Sequence, residues 1–128
     1  MTTPRTRADC PRCQRSRVGR CRWHQLRTTE AARSAAMTLT RAVLYVSMRT
    51  DEVSIGIDDI CIEAWRLDRG RFGMRTEPAY PDTSRVIAEM CARSGPVAIG
   101  WLRRHNGKVQ LTEDGAAAVA ANRRRTAS

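Results

Sequence analysis

Three cysteines and a histidine lie close together near the start of the chain, in the stretch CPRCQRSRVGRCRWH. Cys10 and Cys13 form one close pair, and Cys21 with His24 forms a second pair after a gap of seven residues. A structural zinc ion takes four nitrogen or sulfur ligands in a tetrahedron, and two close pairs provide such a set. We therefore predict a structural Zn²⁺ held by Cys10, Cys13, Cys21 and His24. Its binding would supply the folding free energy of a segment too short to fold alone.

Other interpretations of this stretch remain open. The gap between the pairs is shorter than in C2H2 zinc fingers, and the histidine follows the last cysteine, so the stretch only resembles a zinc knuckle. A chance cluster of thiols is one alternative. A redox site at Cys10 and Cys13 is another, which the absence of a surrounding βαβ pattern disfavours. Four protein ligands leave no open position for catalysis, and five cysteines, an odd number, argue against a disulfide framework.

The positive charge of the chain is concentrated at its two ends. The formal net charge is +10, of which residues 1–27 carry +7 and residues 123–125 carry +3, so residues 28–122 are balanced. Such an excess points to an anionic partner, most often nucleic acid. The alternative is a plain solvated surface, because arginine outnumbers lysine by 22 to one, a bias typical of GC-rich coding sequences. We predict phosphate contacts from the arginines around the cysteines, namely Arg12, Arg15, Arg17, Arg20 and Arg22.

Neither a membrane protein nor an enzyme is expected from the remaining patterns. No apolar run is long enough to cross a membrane, and the N-terminal MTTPRTRADC lacks the apolar region of a secretory signal. We therefore expect a cytoplasmic protein without membrane contact. We predict no catalytic residues, because the sequence has no glycine-rich phosphate loop, no Ser/His/Asp arrangement and no supported carboxylate pair.

Apolar periodicity and turn residues predict an alternation of helices and short strands behind the cysteine-rich stretch. Thr28 is expected to cap the first helix, Asp58 or Asp59 the second, Asp82 the third and Thr112 the last. The predicted elements are a helix at about 30–49, a strand at 53–57, a helix at 59–68, a loop at 69–81, a helix at 83–94, a hairpin around Asn106-Gly107 and a helix at 113–124.

This order resembles the winged-helix (winged helix-turn-helix) superfamily of DNA-binding proteins. The stretches that carry the resemblance are VSIGIDDICIEAW, DTSRVIAEMC and GWLRRHNGKVQLTEDG. The resemblance implies a mainly helical α+β winged-helix domain, which we assign to residues 28–122. The cysteine spacing and the charge distribution add a basic zinc-binding module at 1–27 before it and a basic tail at 123–128 after it. One difference is the connection between the second and third helices, about a dozen residues instead of three or four.

The resemblance also implies which side chains contact DNA, since the third helix would enter the major groove and the hairpin, or wing, would lie on the backbone. An alternative for the helix is a solvated ladder in which Glu89 pairs with the arginines four residues to either side. The residues predicted to contact DNA are Thr83, Ser84, Arg85 and Arg93 on the helix, and Arg103, Arg104 and Lys108 on the hairpin.

The function predicted from the sequence is that of a small zinc-containing transcriptional regulator that binds double-stranded DNA. A homodimer through the alanine-rich face at 116–121 is possible. Two alternatives remain: an adaptor whose winged helix binds protein, which the balanced middle favours, and an RNA or single-strand binder led by the zinc module. Several residues are predicted to be buried in the core, namely Tyr45, Cys61, Trp65, Cys91 and Trp101, whereas His105 is expected to be exposed.

Overall fold

The computed structural model describes the backbone of residues 22–127 and the side chains of residues 30–125. This part of the chain is mainly helical and contains a small antiparallel sheet, so the predicted α+β class is confirmed. The elements, in chain order, are α1 (Arg22–Thr50), β1 (Ser54–Gly56), α2 (Ile57–Leu67), α3 (Arg69–Phe72), α4 (Thr83–Cys91), β2 (Leu102–His105), β3 (Lys108–Leu111) and α5 (Glu113–Ala127).

The three strands pair in the order β1-β3-β2, and both pairings are antiparallel. The hairpin between β2 and β3 is confirmed. Its turn residues Asn106 and Gly107 have φ angles of 52° and 76°. Positive φ at both central positions defines a type I′ turn, whose twist matches that of the flanking strands. On the other side of β3, Ile55 lies opposite Val109, and both side chains are buried.

A single hydrophobic core joins α1, α2, α3, α4 and the sheet. The apolar stripe predicted for the first helix is confirmed, because Leu39, Val43 and Val46 are at most 2% exposed. Its spacing of three and four residues places these side chains on one side of α1. Tyr45 and Trp101, in contrast, are only partly buried, so their prediction as buried core residues is wrong. Trp65 is also only partly buried, but its side chain packs against the core cluster.

The connection between α2 and α4 is more ordered than the predicted loop. Its first residues form α3, and the Phe72 side chain is fully buried in the core. Gly73 then pairs with Pro81 in an isolated β-bridge, and the Asp82 amide donates to the Phe72 carbonyl at 2.7 Å. The connection is thereby folded back on itself. The indole N–H of Trp65, on α2, donates a hydrogen bond to the carbonyl of Pro78 in this connection at 2.9 Å.

Several predicted helix boundaries are wrong. α1 begins at Arg22, so the predicted cap Thr28 lies inside the helix, which also crosses the boundary placed between residues 27 and 28. α2 begins after Gly56 without a side-chain cap, and Asp58 and Asp59 lie in its first turn. There the two carboxylates still interact favourably with the positive end of the helix dipole.

The other two helices differ from prediction at their C-terminal ends. α4 ends at Cys91, three residues early, so Gly95 is not its terminal glycine. α5 continues to Ala127, and the basic residues at 123–125 are therefore helical instead of a frayed tail. The N-terminal caps of both helices are confirmed, since Asp82 accepts from the Arg85 amide at 3.1 Å and Thr112 accepts from the Gly115 amide at 3.0 Å.

Within the described residues, no helix combines the length and the apolar character needed to cross a membrane.

Candidate nucleic-acid interface

The helix α4 has one buried side and one side that faces solvent. Val86 and Met90 are fully buried, so they fix the helix on the core. Thr83, Ser84 and Arg85 are exposed at its first turn, as predicted. These three residues follow the Asp82 cap directly, where backbone N–H groups at a helix start favour anions.

Arg85 is free to contact a ligand. The ion pairs found in the described part of the chain involve Arg49, Arg66 and Arg71, and none joins Arg85 to Glu89. Arg93 lies beyond the last residue of α4, so it cannot continue an i, i+4 ladder along the helix. The alternative of a solvated Arg–Glu–Arg ladder is therefore not supported by this geometry.

The hairpin brings the basic side chain of Arg104 to the end of α4. Arg103, Arg104 and Lys108 are exposed, as is His105, the last residue of β2, in agreement with prediction. The Arg104 Nη1 donates a hydrogen bond to the Cys91 Sγ at 3.0 Å. Because Cys91 is the last residue of α4, this contact joins the hairpin and the helix into one surface. We call it the α4–hairpin surface, and it consists of the exposed residues of α4 and of the β2–β3 hairpin.

The prediction that Cys91 is a buried core residue is therefore wrong. Its thiol is exposed and lies under the Arg104 guanidinium, while Met90, one residue earlier, takes the core position. Ile87, one helical turn before Cys91, is 40% exposed as well. The α4–hairpin surface thus includes an apolar side chain beside its basic ones.

Cys61, the other cysteine with a described side chain, is buried as predicted. Burial raises the pKa of its thiol, and the side chain of Thr83, the first residue of α4, opposes part of that rise.

The predicted zinc ligands and the first basic cluster fall mainly outside the described residues. Among the described residues, no group of three or more His, Cys, Asp or Glu side chains could hold a metal ion. His24 and Arg22 are described only by their backbone, in the first turn of α1. The predicted residues outside the description are Cys10, Cys13, Cys21, Arg12, Arg15, Arg17 and Arg20.

A groove between α1 and α5 was not predicted from the sequence. It is lined by polar and basic residues of α1, by small residues of α5 and by Trp101, which immediately precedes β2. The Arg41 Nη2 donates to the Asn122 Oδ1 across this groove, joining the two helices. The apolar periodicity of each helix could not reveal this groove, because the groove forms only where the two helices pack side by side.

The site and the fold define a mainly helical α+β protein in which a short helix and a basic hairpin form one exposed surface. No family model, no curated protein and no solved structure matches the chain. The interpretation of the α4–hairpin surface therefore rests on its own residues.

Proposed function

We propose that the chain is a winged-helix protein that binds double-stranded DNA and regulates transcription. The order of helices and strands supports the fold, with the β2–β3 hairpin as the wing and α4 as the recognition helix. The observation that carries the proposal is the contact between Arg104 and Cys91. It places the basic hairpin against the end of the exposed helix, so that one duplex could contact both.

The residues of this surface divide into two roles. Arg85 projects from α4 and would read guanine in the major groove, where a bidentate contact discriminates between bases. Thr83 and Ser84 lie at the helix start and would bind phosphate oxygens. The hairpin residues would follow the backbone, a contact that adds affinity without sequence preference. They are Arg103, Arg104 and Lys108.

The arginines of the cysteine-rich stretch would form a second set of phosphate contacts. A structural Zn²⁺ ion would hold this stretch in its folded conformation. His24 lies in the first turn of α1, so ligation by His24 would connect the zinc module directly to the helix that carries the core. Metal quantification on the purified chain should find zinc equimolar with protein. Serine at Cys10 and Cys13 should abolish it, and unchanged zinc in that variant would contradict the ligand set.

Salt-dependent binding tests the proposal directly. We expect the full chain to bind a random duplex at about 50 mM salt, with an affinity that falls as salt rises because counterions are released from phosphates. Arg104→Gln should reduce the slope of log affinity against log salt by about 0.9. Arg75→Gln is the matched control, since it removes one exposed charge from the connection between α3 and α4.

Sequence preference is tested by selection from a pool of randomised duplexes. Arg85→Ala should weaken the selected site by about 1–3 kcal/mol and leave affinity for a random duplex nearly unchanged. Absence of duplex binding at about 50 mM salt would overturn the DNA proposal. Tight binding of single strands alone would favour the RNA or single-strand alternative instead.

The adaptor alternative is favoured by one observation on the same surface. Ile87, an apolar residue of α4, is 40% exposed. In a DNA complex it would contact a thymine methyl group, whereas in an adaptor it would anchor a protein partner. Ile87→Lys distinguishes these cases, because an added positive charge should retain or increase duplex affinity but should disrupt an apolar protein contact.

A further inference from the structure

The groove between α1 and α5 has the size of a small-molecule site. Its volume is about 740 Å³, and typical ligand pockets in proteins span about 300–1,000 Å³. Arg33, Met37 and Arg41 form one wall at a spacing of four residues along α1. Small side chains of α5 form the opposite wall, and the half-buried ring of Trp101 lies at the groove as well.

Arg41 is a partly buried cation without an anionic partner. Its Nη2 donates to the neutral carbonyl oxygen of the Asn122 side chain. Its Nε is buried and has no hydrogen-bond partner among the described residues. No ion pair of the described residues includes Arg41. A partly buried charge without an anionic partner and a buried donor without a hydrogen-bond partner are both unfavourable, so an anion beside this guanidinium would be stabilised.

The charge and shape of the groove indicate what kind of anion fits. Arginines at 33, 41 and 125 outnumber the acidic residues Glu30 and Asp114. Met37 and the alanines of α5 supply apolar surface, and Trp101 supplies an aromatic ring for stacking. Residues 1–21 are a poor occupant, because they carry six arginines and one acidic residue and would be repelled by the same cations.

We propose that this groove binds a small aromatic anion, with its acidic group at Arg41 and Arg33 and its ring against Trp101. The acidic group can be a carboxylate, a sulfonate or a phosphate, since all three accept charge-assisted hydrogen bonds from guanidinium. The proposal rests on the groove alone and is independent of duplex binding. Trp101 leads directly into β2, so a bound ring would contact the residue from which the hairpin begins.

Calorimetric titration of the full chain with 1-naphthalenesulfonate tests the proposal. 1-Naphthalenemethanol is the matched neutral probe. We expect the sulfonate to bind and the alcohol to bind at least about tenfold more weakly. Arg41→Gln and Arg33→Gln should each weaken sulfonate binding by about tenfold or more. Arg75→Gln should leave it unchanged, because that arginine is exposed elsewhere. Circular dichroism checks that each variant is folded. If Arg41→Gln does not fold, Arg33→Gln alone decides the test.

The fluorescence of Trp101 reports occupancy of the groove independently of the calorimetric signal. The sulfonate should change the emission of the wild type, and Trp101→Phe should remove that change. Equal affinity for the two probes, unaltered binding by both arginine variants, or no sulfonate binding at about 1 mM would each overturn the proposal. The titration is repeated at two protein concentrations. If the chain dimerises at the higher concentration and sulfonate affinity falls there, the groove binds a second copy of the chain. That result would also overturn the ligand proposal.

Discussion

At the scale of single residues, two cysteines have opposite environments because of their positions on helices. Cys61 lies on the buried side of α2, whereas Cys91 lies one step beyond Met90 on α4, and one step turns a side chain by about 100°. The apolar pattern of α4 includes both Met90 and Cys91, so the sequence does not reveal which edge of the stripe meets the core. The exposure of Cys91 is decided by how α4 is rotated where it packs on α1 and α2.

Thiol alkylation should separate the two cysteines. Because burial raises the pKa of the Cys61 thiol, less thiolate is present at neutral pH, and only the thiolate reacts. We expect Cys91 to be alkylated by iodoacetamide at pH 7 in the folded protein while Cys61 stays unmodified. Cys61 should become reactive only as the pH rises through its raised pKa or on unfolding.

Mass spectrometry of the digested chain measures each site separately. Denatured protein is the control, in which both residues should react. Equal labelling of Cys61 and Cys91 under native conditions would contradict the assigned burial.

Glu63 is a second residue whose environment the sequence does not reveal. Its side chain is 8% exposed and accepts a hydrogen bond from Arg49 at 2.8 Å. From its residue type alone, a glutamate on α2 is predicted to have an exposed side chain. It is buried here because the end of α1 brings a guanidinium to it, a contact between residues far apart in sequence.

At the scale of elements, the parts set by local chemistry are predicted best. The Asn-Gly turn, the Asp82 and Thr112 caps and the apolar stripe of α1 each depend on a few neighbouring residues, and each is confirmed. The connection after α2 is different, since α3 is only four residues long and is held by Phe72 in the core. Asp68 caps α3 by accepting a hydrogen bond from the Arg71 amide at 3.2 Å, but one capping residue does not predict a helix whose position depends on the burial of Phe72.

The corner between β3 and α5 gives a prediction at this scale. A Cβ atom at Gly115 would lie 2.1 Å from the Trp101 carbonyl oxygen. Gly115→Ala should therefore force α5 away from the start of β2 and lower the free energy of unfolding by about 1–3 kcal/mol. Urea denaturation measures the loss. Gly70→Ala is the matched control: its nearest neighbour would be 3.8 Å from the new Cβ, so it should be neutral or slightly stabilising. Similar losses in both variants would argue against the close approach.

At the scale of the whole molecule, the core and the excess charge occupy different parts of the chain. The core cluster runs from Ala35 to Val109, within the charge-balanced part of the sequence. The polar and basic residues of the α4–hairpin surface could be predicted because helix order and turn chemistry place them, whereas the exposure of Ile87 and Cys91 could not. The groove at Arg41 could not, because it needs two helices from opposite ends of the chain.

This separation predicts how metal removal acts. An excess of EDTA should remove the zinc ion proposed for residues 10–24 without unfolding the core, because no cluster of potential metal ligands lies among the described side chains. The main thermal transition should shift by less than about 4 °C, the smallest shift expected for a change of 1 kcal/mol in a domain of this size. Calorimetry measures the transition, and the variant with serine at Cys10 and Cys13 is the control without added chelator. Cooperative loss of the whole fold on chelation would show that the metal supports the core.

The order of strands in the sheet has a consequence for the protein in concentrated solution. β1 and β2 are the outer strands, and each leaves one row of backbone groups without a strand partner within the described chain. Such rows can recruit strands from other molecules and begin aggregation. β1 has only three residues, and β2 carries Arg103 and Arg104, so one border is short and the other is charged. The arginines proposed to hold DNA would thus also keep neighbouring molecules from pairing along their sheets.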